Sequence, residues 1–171
     1  MNKNIFPDGT EISSWFREIP DISITDMGKQ YPLDQYGIRA DGTIQTKEIQ
    51  QLIDRIASEG GGVLVIPEGC YLSGALYFRQ NVSLYIKKGG ILKGSDDIRH
   101  YPLCDTRIEG QSCLYFPALI NGESLHGFTI SGEGTIDGNG LRYWEDFWFR
   151  RQWNPQELCI NNIYICEGMI V

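Results

Sequence analysis

Several groups of residues in this 171-residue sequence could do chemistry. Asp96-Asp97 is an acidic pair, and a glycosidase needs two carboxylates flanking the scissile bond. Adjacent side chains on an extended chain point apart, however. The setting Gly94-Ser95-Asp96-Asp97-Ile98 reads as a strand leaving for a loop, where Ser and Asp satisfy free backbone groups. Asp137, in Ile136-Asp137-Gly138, reads as a turn former in the same way, so no catalytic residue is assigned. His100 and His126 sit in turn-like contexts without a second ligand at metal spacing, and no metal site is expected. Gly60-Gly61-Gly62 follows a helical pattern and precedes a strand, the reverse of a phosphate cradle, and a strand follows Gly132-Glu133-Gly134, so both are structural turns and no cofactor is implied. Asp105, Arg107 and Glu109, between Cys104 and Cys113, belong to a long polar loop able to overhang a cleft.

The segment Arg142 to Trp153 packs six aromatics and three arginines into what looks like an insertion. Aromatic faces stack on sugar rings and guanidinium groups pair with carboxylates, which suits an acidic polysaccharide. The competing reading is a short amphipathic segment whose Trp144, Phe147 and Trp148 pack on the rest of the protein, and packing is favoured for most of the aromatics. Arg150 and Arg151 are the better ligand candidates, with Arg142 and Trp144 beside them as substrate-binding residues.

The elements that must position these residues begin with one amphipathic helix. Between Thr46 and Ala57 the apolar residues Ile49, Leu52, Ile53, Ile56 and Ala57 recur at helical spacing, with Lys47, Glu48, Gln50, Gln51, Asp54 and Arg55 between them. Thr46 is placed as N-cap, Glu48 suits the first turn, and the three glycines stop the helix. Short strands follow: Val63 to Ile66, Ala75 to Phe78, Val82 to Ile86, Ile91 to Lys93, Ala118 to Ile120, Phe128 to Ile130, Thr135 to Asp137 and Ile163 to Ile165, with no return of helical periodicity. They repeat. At an offset of 44 residues Leu84 meets Phe128, Ile86 meets Ile130, Gly90 meets Gly134, Leu92 meets Ile136 and Gly94 meets Gly138, and Asn162-Ile163-Tyr164-Ile165 echoes Asn81-Val82-Ser83-Leu84. Two solenoid coils of about 20–25 residues produce such an offset. The architecture expected is a stack of coils, each covering the apolar face of the one before, with the helix as the lid of the first; a β-sandwich would need neither the helix nor the repeat.

A net charge of −7 opposes nucleic acid and anionic lipid, so neither is an expected partner, and uronate binding needs a local basic patch. The five cysteines, Cys70, Cys104, Cys113, Cys159 and Cys166, show no C-x-x-C pair and indicate neither a zinc knuckle nor a disulfide scaffold. Met1 to Thr10 contains no apolar run suited to a signal peptide, and no segment is long enough to span a membrane.

Tyr36-Gly37-Ile38-Arg39-Ala40-Asp41-Gly42-Thr43, Thr46 to Ile49 and Gly60-Gly61-Gly62-Val63-Leu64-Val65-Ile66-Pro67-Glu68-Gly69 resemble the opening of family 28 glycoside hydrolases, the polygalacturonase family. Leu92-Lys93-Gly94-Ser95-Asp96-Asp97, Tyr101-Pro102, Phe128-Thr129-Ile130-Ser131-Gly132 and Gly134-Thr135-Ile136-Asp137-Gly138-Asn139-Gly140 continue the resemblance in order, from about Asp34 to Pro155. It implies an all-β, right-handed parallel β-helix (a pectin-lyase-like solenoid) with an N-terminal capping helix. It also implies hydrolysis of α-1,4-galacturonosyl bonds with inversion, in homogalacturonan or rhamnogalacturonan, by one aspartate that protonates the leaving oxygen and others that activate water. In that family the carriers lie in Asn-Thr-Asp, Gly-Asp-Asp, Gly-His-Gly and Arg-Ile-Lys elements, none of which occurs here. Asp96-Asp97 follows a serine and lies too early to stand in for them. The expectation is therefore an N-terminal extension over residues 1–33 and, over 34–171, the cap and first coils of a truncated domain. That chain is expected to be inactive alone and to self-associate through an open end. Secretion or a periplasmic location is what the family implies. The rival readings are a pectic lyase, which would need calcium-binding carboxylates and yield unsaturated products, and a non-catalytic β-helix that binds polysaccharide or serves as a scaffold.

Overall fold

A computed structural model describes residues 5–16, 22–108 and 110–153 of the chain. After an N-terminal stretch with two short 3-10 turns comes β1 (Gln30–Pro32), then a helix, α1 (Thr46–Ser58). There follow β2 (Gly62–Ile66), β3 (Gly69–Ser73), β4 (Leu76–Tyr77), β5 (Val82–Ile86), β6 (Gly90–Gly94), β7 (Cys104–Ile108), β8 (Gln111–Tyr115), β9 (Ile120–Asn121), β10 (Ile130–Gly132), β11 (Thr135–Asp137) and a second helix, α2 (Leu141–Trp153). Three sheets are parallel, in the orders β1-β2-β5-β10, β3-β6-β11 and β4-β9, and β7 pairs with β8 in an antiparallel hairpin. The chain visits these parallel sheets in rotation: β2, β3 and β4 on one pass, β5, β6 and β9 on the next, then β10 and β11. No helix among the described residues is long and apolar enough to cross a membrane.

Burial explains the layering. Leu64, Leu84 and Ile130 are paired across three neighbouring strands, and Tyr71, Leu92 and Ile136 across another three. The first two members of each set are buried, whereas Ile130 and Ile136 are 47% and 44% exposed, so among the described residues the third pass has no layer over it. On β5 Val82, Leu84 and Ile86 are buried while Ser83 and Tyr85 are half-buried, the alternation a pleated strand imposes. β2 is apolar at four successive positions, all buried, as a strand covered on both faces must be.

α1 packs its apolar face on the core between the sheets. Ile49, Leu52, Ile53 and Ile56 are buried and belong to the same apolar core as Leu64, Leu76 and Leu84. Its polar side chains also serve the strand edge beneath. The Gln50 amide donates to the Tyr77 carbonyl at 2.9 Å and its oxygen accepts the Tyr77 N–H at 2.8 Å, which supplies the pairing that β4 lacks on this side. Thr46, expected as N-cap, instead accepts the Gly74 N–H on its hydroxyl at 2.7 Å. Gln45 occupies the cap position without a side-chain cap bond, its amide being bonded to the Arg39 backbone. Replacing Gln50 with alanine leaves both Tyr77 backbone groups without that partner and is expected to cost about 1–2 kcal/mol. An unchanged urea midpoint for Gln50→Ala would show that the seal adds nothing.

The structure corrects three expectations. The stretch read as a polar loop is the hairpin β7–β8, Gly110 providing the left-handed backbone (φ 87°) that its tight turn requires. Helical structure does return, as α2. The repeat keeps its offset of 44 residues in the β6–β11 pairing, where Leu92 meets Ile136, and the β4–β9 pairing has the same offset, with Leu76 meeting Ile120. In the neighbouring sheet Leu84 meets Ile130 and not Phe128, a slip of two residues. Gly134 donates directly to the Ile86 carbonyl at 3.0 Å, so the corner through Glu133 is two residues shorter than the one through Lys87 and Gly89 that it overlies. A slip of two preserves which side chains face inward. Phe128 packs instead against Phe78, ring centroids 5.1 Å apart. The strand expected at Ile163 to Ile165 lies outside the described residues.

Candidate functional site

Both long excursions leave the β3-β6-β11 sheet at the same end: the hairpin after β6, and α2 after β11. Their roots are joined. Lys93 at the end of β6 lies 3.7 Å from Asp137 at the end of β11. The Ser95 carbonyl accepts the Tyr101 hydroxyl at 3.2 Å and the Tyr143 hydroxyl, from the first turn of α2, at 3.1 Å. Burial pushes the Tyr143 phenol up to about 12, so it remains a proton donor to that carbonyl throughout the physiological range. α2 is thus hydrogen-bonded through its first turn to the corner at Ser95.

The acidic pair sits at this corner, and the bonds of Asp97 are structural. The Asp97 carboxylate accepts the Arg99 N–H at 3.0 Å and pairs with the Arg99 guanidinium, Nε at 2.9 Å, as the cap of a 3-10 turn. Those bonds hold its carboxyl well below the usual carboxylate range, the opposite of what a general acid needs. Ser95 Oγ accepts the Asp97 N–H at 3.0 Å and lies 2.7 Å from His100 Nδ1. His100 in turn lends its carbonyl to Ala75, so this Ser–His contact staples one pass to the next. Asp137 Oδ1 accepts the Asn139 N–H at 2.8 Å, the turn role expected of it. Among the described residues no cluster of His, Cys, Asp and Glu could hold a metal ion.

The four substrate-binding candidates all fall on α2, but the helix separates them. At about 100° per residue Arg142 stands about 200° around the axis from Trp144, beside Glu145 and Asp146 at i+3 and i+4. Position 151 falls within about 20° of the Trp144 stripe, while position 150 falls on the stripe of Tyr143. The side chains of Arg150 and Arg151 lie outside the described residues. Trp148, which sequence reasoning assigned to packing, stacks on Trp144 with ring centroids 5.4 Å apart and planes 9° apart. Its only sequence signal was the i, i+4 spacing from Trp144, legible once the segment is known to be helical.

No protein-family profile matches the chain. The chain superimposes on solved exopolygalacturonases. A hyperthermoactive exopolygalacturonase from Thermotoga maritima superimposes with a TM-score of 0.59 at 29% identity, over 71% of this chain and 26% of that one. A family 28 exopolygalacturonase from Yersinia enterocolitica does so with 0.56 at 30% identity, over 66% of this chain and 21% of that one. Among curated proteins a probable polygalacturonase of Vitis vinifera is 30% identical over 125 residues, 67% of this chain and 26% of its own length. The exo-poly-alpha-D-galacturonosidase of Dickeya chrysanthemi is 29% identical over 149 residues, 82% of this chain and 24% of its own length. The chain spans about a quarter of the length of these curated relatives. It is a distant homologue of the family 28 polygalacturonases over part of its length.

Proposed function

We propose that this chain is the opening of a polygalacturonase-type glycoside hydrolase that cleaves α-1,4-galacturonosyl bonds of pectic polysaccharide with inversion. On this reading the rotating passes are the first coils of a right-handed parallel β-helix. α1 is its N-terminal cap, residues 1–33 are an extension ahead of it, and residues 34–171 belong to the solenoid itself. The observation that carries the reading is the register: strands separated by a whole pass stack in parallel, and the sequence that builds them is shared at 29–30% identity with exopolygalacturonases. The Asp97 and Asp137 carboxylates cap turns and pair with cations, and none of the family's catalytic elements occurs here, so the chain alone is expected to leave substrate intact; the acid and base that inversion requires would come from beyond these coils.

The test is product analysis. Polygalacturonate is incubated with the 171-residue chain and with a polypeptide extended by whatever coding sequence follows Val171. Saturated galacturonides of inverted anomeric configuration from the extended protein alone are the expected result. Unsaturated products would replace hydrolysis with elimination, and release by the 171-residue chain itself would place the catalytic carboxylates within it.

A further inference from the structure

The sequence holds two Asn-Gly pairs, Asn121-Gly122 and Asn139-Gly140. An asparagine before glycine can lose its amide without an enzyme, because the glycine nitrogen reaches the side-chain carbonyl carbon with no Cβ in the way. The fold treats the two pairs oppositely. The Asn121 amide is tied at both atoms: its oxygen accepts the Ala118 N–H at 2.9 Å, and its nitrogen donates to the carbonyls of Leu76 at 3.1 Å and Ala118 at 2.6 Å. Its own carbonyl accepts the Phe78 N–H at 2.8 Å, and a carbon added at Gly122 would stand 2.5 Å from the Leu125 side chain. Turning Asn121 for ring closure would break these bonds and crowd that contact. Asn139, between β11 and α2, carries none of this. No hydrogen bond holds its amide among the described residues, and a carbon added at Gly138 or Gly140 on either side of it would meet nothing within 4 Å. Its φ of 49° lies in the left-handed region that side chains rarely adopt. Its N–H bond to Asp137 Oδ1, at 2.8 Å, survives rotation about the Cα–C bond that ring closure requires.

We propose that Asn139 is a site of spontaneous deamidation, at which the folded chain converts asparagine to a mixture of aspartate and isoaspartate while Asn121 is kept intact. The Gly140 nitrogen, having given its proton to solvent base, donates its electron pair to Asn139 Cγ. The Cγ–Nδ2 bond breaks, and the amide nitrogen takes a proton from water and leaves as ammonia. Water then adds to one or the other carbonyl of the cyclic imide, and cleavage of that C–N bond gives aspartate in one case and isoaspartate in the other. No electrons are gained or lost, and the proposal does not depend on the hydrolase reading. The position gives the product a structural effect. The Gly140 carbonyl accepts the Trp144 N–H at 3.0 Å, the bond that opens α2, and Tyr143 beside it is bonded to the Ser95 carbonyl. Isoaspartate routes the main chain through the side chain and so inserts an extra carbon just ahead of that first turn. Aspartate keeps the length of the backbone and places its charge where a helix N-terminus favours it. Isoaspartate is thus expected to loosen the start of α2, and aspartate to leave it in place.

The experiment ages the 171-residue chain in mildly alkaline buffer, folded and in urea, and digests it with trypsin. Cleavage after Arg107 and Arg142 places both asparagines in one peptide, so each serves as the other's control. Fragment masses assign the gain that accompanies exchange of amide for acid; isomerisation of Asp137 leaves the mass unchanged. In the folded chain Asn139 is expected to convert at least about tenfold faster than Asn121, and in urea the two rates should converge to within about twofold. Gly140→Ala, for which the open space at that residue leaves room, should slow conversion at Asn139 by about tenfold. Hydrogen exchange should show the Trp144 amide losing protection in the isoaspartyl fraction and keeping it in Asn139→Asp. The proposal fails if Asn121 converts as fast as Asn139 in the folded chain, if Asn139 converts only in urea, or if Gly140→Ala leaves its rate unchanged. Full protection of Trp144 in the isoaspartyl fraction would overturn the link to α2.

Discussion

Leu84→Ala is expected to destabilise the protein by about 3–5 kcal/mol, the upper half of the range for a buried leucine. Leu84 is completely buried and sits in register between Leu64 on one side and Ile130 on the other. Its strand is hydrogen-bonded along both edges, so the walls of the cavity cannot move in to fill it. The loss would be a large fraction of the stability of an ordinary domain. Ile130→Ala removes a comparable side chain from the same column, but that side chain is already half in water, and about 1 kcal/mol is expected. Urea denaturation of the two variants side by side measures the difference. Equal losses would mean that Ile130 is as well covered as Leu84, and that the stack continues over it.

The parts of this fold that were legible in the sequence are those where one physical demand acts alone. α1 shows its apolar stripe because one face meets the core and the other meets water. β5 and β11 were placed at their observed bounds, β5 by the alternation of Val82, Leu84 and Ile86, β11 by its repeat of β6. β1 was missed, and Pro32 explains why: proline argues against a strand unless that strand lies at an edge, where β1 in fact lies. β3 escaped because Gly69-Cys70-Tyr71-Leu72-Ser73 lacks β-branched residues and owes its strand to pairing with β6 along all five positions. In α2 the aromatics surround the axis, which hides the helical period. The stacking of Trp144 on Trp148 was therefore not legible from the residue types alone. The Ser95 hydroxyl serves the backbone as its setting suggested, but the Ser95 carbonyl receives two phenols, and a carbonyl has no residue signature.

Gly132→Ala is expected to cost about 2–4 kcal/mol and to free β10 from β5, because two constraints meet at one Cα. Its backbone lies at φ 115°, where an L side chain is strained, and a Cβ there would stand 2.0 Å from the Ile86 carbonyl oxygen, a backbone atom that cannot rotate away. Gly127 supplies the control. Its φ of 71° is equally left-handed but nothing lies within 4 Å of the added carbon, so alanine there carries the backbone strain alone, about 1 kcal/mol. Hydrogen exchange is the informative readout, for the Leu84 N–H is bonded to the Thr129 carbonyl at 2.9 Å and the Gly134 N–H to the Ile86 carbonyl at 3.0 Å. Gly132→Ala should lose protection at both amides while α1 and the β2–β5 pairing keep theirs. Retained protection at Leu84 and Gly134 would restore the offset of 44 residues for this strand, with Phe128 over Leu84. The effect should also reach α2, because the shortened corner leads directly into β11 and thence to Tyr143. A β10 that lets go is expected to loosen the Tyr143–Ser95 bond and with it the orientation of the paired indoles.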